Sequence, residues 1–169
     1  MPPSEPARVG RRALAHLLDV LLLSAVQLAV FFAIADRGPA DGGSATGGTG
    51  GVEASATAEI TLGDDRWFLE GGAAALYLLG VLALWSLVYV LLQGRTGQTP
   101  GKRLLGLRVV DEAGTPPGPG RSAIRSLLWV VDAFPFFVPW LTGFLVARGD
   151  RERRQRIGDR VARTFVVRA

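Results

Sequence analysis

Hydrophobic residues in this chain are gathered into three long blocks separated by polar stretches, rather than spread with a short period. The first block, 12–35, reads RALAHLLDVLLLSAVQLAVFFAIA. From Ala13 it runs for 23 residues, enough at about 1.5 Å per residue to cross a hydrocarbon core of about 30 Å. Asp19 interrupts it, and a carboxylate inside a membrane helix costs roughly 2.5–3.5 kcal/mol. At about 100° per residue, Arg12, His16, Asp19 and Gln27 fall within one arc of about 80°. The pattern predicts a membrane helix with one polar stripe, turned to protein, water or an ion rather than to lipid. Arg8, Arg11 and Arg12 precede the block as in a signal peptide, but its length and Asp19 argue for a retained helix.

The second block, 73–93, carries no charge and follows Trp67 and Phe68, which suit an interfacial position. Ser86, Tyr89 and Gln93 share one of its faces, which either meets the stripe of the first helix or reaches the interface. The third block, 122–147, is apolar but is broken by Asp132, Pro135 and Pro139. Each proline deletes a backbone donor and clashes with the preceding turn, so the block is expected to turn back near 134–139 rather than span. Arg12 to Asp19 and Arg125 to Asp132 follow the same pattern, R-x-L-x-x-ϕ-ϕ-D, with Arg and Asp two turns apart on one face. That repeat predicts crossed pairs between helices, Arg12 with Asp132 or Arg125 with Asp19.

Between the blocks the chain changes character. Residues 1–11 read as a mobile cytoplasmic tail. Residues 36–72 form a Gly-rich stretch expected to be a flexible external loop, since seven Asp/Glu stand against two Lys/Arg between Asp36 and Glu70. Residues 94–121 hold five Lys/Arg and belong inside. Their GQTPGK run, with Gly97, Thr99, Pro100, Gly101 and Lys102, fails as a phosphate loop. The spacing between its glycines is too short, and Arg103 stands where Ser or Thr is required. Residues 104–110 read as a short strand, with 164–168 in the tail as its natural partner. The tail, 148–169, carries eight arginines and one further acidic candidate, Asp159. The fold class expected is an all-α membrane protein of two transmembrane helices, a Pro-broken third apolar segment and a small two-stranded cytoplasmic β element.

Composition narrows the chemistry. Hydrophobic residues make up 49% of the 169, which with their blockwise arrangement fits a membrane class. The net charge of +4 comes mostly from arginines flanking apolar blocks, a pattern that fits anionic lipid headgroups rather than nucleic acid. With no cysteine and one histidine, thiol chemistry, disulfides and a zinc site are excluded, and neither a cofactor nor catalysis is expected.

Arg12 with Asp19, the loop GQTPGKRLLGLRVVDEAG, Arg125 at the head of the third block and IGDRVARTFVV together resemble the RDD family of small bacterial membrane proteins. The resemblance covers nearly the whole chain except 36–66, and it implies an inner-membrane protein with a transport role, some members resembling cation/proton antiporters. The family's Arg and first Asp carry over to Arg12 and Asp19; its second Asp is either Asp132 or Asp159. Two functions follow as expectations. In one, Asp19 and Asp132 form a protonatable site for a small cation or proton, tuned by Arg12, Arg125 and His16. In the other, the charges are interhelical glue in an accessory or scaffold protein that assembles with itself or a partner membrane protein.

Overall fold

The computed structural model describes residues 6–40, 58–128, 149 and 155–169. The chain divides into two compact units, residues 1–23 with 84–169, and residues 24–83. Two helical stretches of 26 residues each, Val9–Ile34 and Gly71–Thr96, are long and apolar enough to cross a membrane. The first is helix α1 (Val9–Ile34). The second is α2 (Gly71–Ser86), continued by a π-helical stretch Leu87–Leu92 and by α3 (Gln93–Thr96). These bounds extend the expected segments 12–35 and 73–93 by a turn or less at most ends.

In the unit of residues 24–83, the C-terminal part of α1 and most of α2 accompany a three-stranded antiparallel sheet. Its strands are β1 (Asp36–Pro39), β2 (Ala58–Leu62) and β3 (Asp65–Leu69), in the order β1-β3-β2. β2 and β3 form a hairpin in which Leu62 faces Asp65 across a two-residue turn, with Gly63 at φ +61°. Phe31, Leu69 and Ala74 make the buried core, with Trp67 and Tyr77 against it. This sheet corrects the expectation that 36–72 is only a flexible loop, and adds a second β element to the expected fold class. The Gly-rich part proper, 41–57, lies outside the described residues.

The unit of residues 1–23 and 84–169 holds α3, α4 (Pro100–Leu104), β4 (Leu107–Asp111), α5 (Gly118–Leu127), α6 (Ile157–Val161) and β5 (Thr164–Arg168). β4 and β5 pair antiparallel, Val109 opposite Val166, as their β-branched sequences predict. Both outer edges are occupied. Gly97 accepts a bond from the Val109 amide at 2.7 Å, and the Ala7 amide donates to Val166 O at 2.9 Å. Residues 6 and 7 are therefore fastened to β5, which corrects the expectation of a mobile tail over all of 1–11. Ala7, Ala15, Leu107, Val109 and Val166 form the core.

α5 begins at Gly118, inside the stretch assigned to the 94–121 loop, and reaches only the start of the third apolar block. Asp132, Pro135, Pro139 and the expected break between them lie outside the described residues.

Candidate functional site

The buried face of α1 is its polar face. Ala15, Asp19, Leu23 and Phe31 are buried at steps of one or two turns, whereas Leu17, Leu21, Leu22 and Val26 are exposed. A soluble helix reverses this arrangement; here the charged stripe is covered and the apolar remainder faces outward, as a lipid-facing helix requires.

What covers the stripe is the GQTPGK run. Gly97 ends α3 in the left-handed region at φ +74°, where a side chain would also drive into Val109 O and the Arg108 side chain. Thr99 then N-caps α4, and Pro100 takes its first position, where a missing amide costs nothing. Gly101 lies so close to α1 that a Cβ there would collide with Ala15 O and stand 3.0 Å from the Asp19 carboxyl carbon. That closeness lets the Gly101 amide donate to Asp19 Oδ1 at 2.6 Å, while the Thr99 hydroxyl donates to Oδ2 at 2.5 Å. The run that fails as a phosphate loop thus works as a carboxylate loop. Hydrogen bonds to a charged group contribute roughly 1.5–3 kcal/mol each. Two of them are of the size needed to offset the cost of placing Asp19 in an apolar helix.

Lys102 completes this cluster. Its Nζ donates to Thr99 Oγ1 at 3.2 Å, stands 3.9 Å from Asp19 Oδ2 and lies 5.4 Å from the centre of the Tyr89 ring. It is 8% exposed. Burial, assisted by Arg125, Arg156 and Arg12 and opposed by Asp19, brings its ammonium down to about 7. Tyr89 also meets His16, Oη to Nδ1 at 3.0 Å, and its ring stacks on Trp85 at 5.1 Å. Of the face expected on the second block, Tyr89 meets the stripe and Ser86 is exposed. Gln93 is buried and donates to Tyr89 O.

A second charged cluster centres on Asp159, which is fully buried. Arg12 from α1 pairs with its Oδ2, and Arg125 Nε from α5 stands 2.8 Å from Oδ1. Arg156, at the N-cap of α6, donates its amide to Oδ2 at 3.2 Å, with its side chain at 3.9 Å. Burial alone would raise this carboxyl; Arg125, Arg12 and Arg156 together outweigh it and hold the group well below the usual carboxylate range. Among the described residues the carboxylate that Arg125 meets is therefore Asp159 rather than Asp19, and Arg12 meets Asp159 too. Asp132, the other expected partner of Arg12, lies outside the described residues. Sequence reasoning missed Arg156; the i,i+3 spacing to Asp159 ahead of a short helix is the signal that could have found it. Among the described residues no three His, Asp or Glu come together as a metal site.

Two apolar helices of spanning length, with Arg12 and Asp19 of the first turned onto a basic loop-and-sheet element, define a membrane-type protein. The family model of the RDD family matches residues 6–163, nearly the whole chain, and the chain belongs to that family. No curated protein and no solved structure matches it.

Proposed function

We propose that this protein moves a small monovalent cation or proton at Asp19. The observation that carries the reading is a buried carboxylate in a helix of spanning length, with hydrogen bonds at both oxygens and a buried ammonium beside it. Buried ionisable groups at membrane depth are costly and mark ion or proton pathways. The basic 94–121 loop and Arg-rich tail are taken as cytoplasmic, against anionic headgroups of a bacterial inner membrane. The two spans among the described residues make a thin wall, so transport on this reading requires an assembly of copies or a partner membrane protein; no catalysis and no cofactor enter it. Purified protein in liposomes should carry Na⁺ or H⁺, and Asp19→Asn should reduce the flux to the protein-free background. Equal flux in both would end the reading.

The clasp on Asp159 favours a second reading, a non-transporting accessory protein in which charge pairs join elements. Three arginines from three elements on one carboxylate serve assembly better than exchange. In that case flux is absent, while Asp19→Asn lowers the amount of folded protein or its association with partners.

A further inference from the structure

Eighteen of the nineteen basic residues are arginine, and the single lysine, Lys102, is the one that faces Asp19. Arginine stays charged in proteins, whereas a lysine amine loses its proton when burial disfavours the ammonium. At Asp159, where the charge is a clasp, the cations are arginines; at Asp19 the cation is the one side chain able to become neutral. We propose that Lys102 is the proton-exchanging member of the Asp19 site, giving up its proton when a monovalent cation takes its place beside the carboxylate. This rests on the cation reading above and assigns the proton to the amine, where the sequence pattern assigned it to aspartates.

The geometry supports the exchange. Nζ donates to Thr99 Oγ1 and stands 3.9 Å from Asp19 Oδ2, beyond hydrogen-bond range, so the ammonium is not locked onto the carboxylate. Asp19 is held independently by Thr99 and Gly101, so its position survives loss of the ammonium. Among the described residues, the charged and titratable groups that act on Nζ come from several elements. Arg12, His16 and Asp19 lie on α1, Tyr89 on the second spanning helix, Arg125 on α5, and Arg156 at the N-cap of α6. The nearby arginines favour the neutral amine, and burial does the same. In the exchange an Nζ–H bond breaks, its electron pair stays on nitrogen and the proton passes to water. The amine then turns from a competitor for Asp19 into a lone-pair ligand, while the incoming cation restores the charge beside Oδ2.

Because the chain has one lysine, ¹⁵N-lysine labelling gives a single Nζ resonance that can be titrated in the full-length protein in nanodiscs. In Na⁺-free buffer at constant ionic strength the transition should fall near pH 7. Replacing N-methylglucamine by Na⁺ should lower the midpoint by about one pH unit per tenfold Na⁺ above its dissociation constant, the limit for one-for-one exchange. Asp19→Asn should abolish the Na⁺ dependence, and Lys102→Arg should bring liposome flux to background. An Nζ that stays charged through pH 9, or a midpoint indifferent to Na⁺, overturns the proposal even where wild-type liposomes carry flux. A Na⁺-dependent midpoint with no flux supports the exchange and sinks transport alone.

Discussion

Asp159 and Lys102 make stability depend on pH in two separate windows. The folded Asp159 carboxyl lies below its ordinary value of 3.8. The clasp's contribution is therefore complete above about pH 4 and lost as the pH falls further. Lys102 acts in the same direction over a higher window. Its folded value of about 7 lies under the 10.5 of an exposed lysine, so the unfolded chain binds more protons between those limits. Stability should therefore rise with pH from about 7 to about 10, and Lys102→Met should flatten that limb in thermal scans in detergent. Removing a single partner of a buried pair costs roughly 3–5 kcal/mol. Asp159→Ala should incur it in full by leaving several arginines facing one another, whereas Arg125→Met should cost less because Arg12 and Arg156 remain. Midpoints of the two variants in that order would be expected, and the reverse order would contradict the clasp. Gly101→Ala should destabilise by about 1–3 kcal/mol, the usual cost of overpacking, because α4 cannot approach Ala15 with a Cβ between them. It should also weaken any Na⁺ dependence carried by Asp19.

Among the elements, those with a strong local period were legible in the sequence. The two long helices follow from apolar length, and the β4–β5 pair follows from two β-branched runs. The polar stripe was also legible, because one carboxylate in an apolar helix demands a partner. Which partner was not legible. Asp19 and Thr99 are 80 residues apart, and Arg12 and Asp159 are 147 apart, so no local pattern links them. The R-x-L-x-x-ϕ-ϕ-D repeat compares two helices and could not point to Asp159, which comes from neither and is the carboxylate that both arginines meet among the described residues. Its Arg12–Asp132 pair involves a residue outside them. The three-stranded sheet was hidden by its short strands within a Gly-rich stretch, although the Gly63–Asp64 turn between AEITL and DRWFL is a hairpin signal. Substituting Gly63 by valine should disturb that hairpin, since a β-branched residue is strained at φ +61°. Protease nicking near residue 63 would report it, and unchanged resistance would count against the turn.

For the molecule as a whole, the positive-inside rule predicts a cytoplasmic Arg-rich tail. A reporter fused after Ala169 should be active only as a cytoplasmic fusion; activity confined to the periplasm would overturn that orientation. The fastening of Ala7 to Val166, with the bonds from 99–101 to Asp19, sets a schedule for biogenesis. Chains emerge from the ribosome N-terminus first, so α1 meets the membrane while Thr99, Gly101 and β5 are still untranslated. For that interval the nascent helix carries a naked carboxylate, and its retention depends on the insertion machinery rather than on its final neighbours. Slowing translation between α1 and β4 should therefore lower the yield of inserted protein, and Asp19→Leu, which needs no later partner at this step, should relieve the loss.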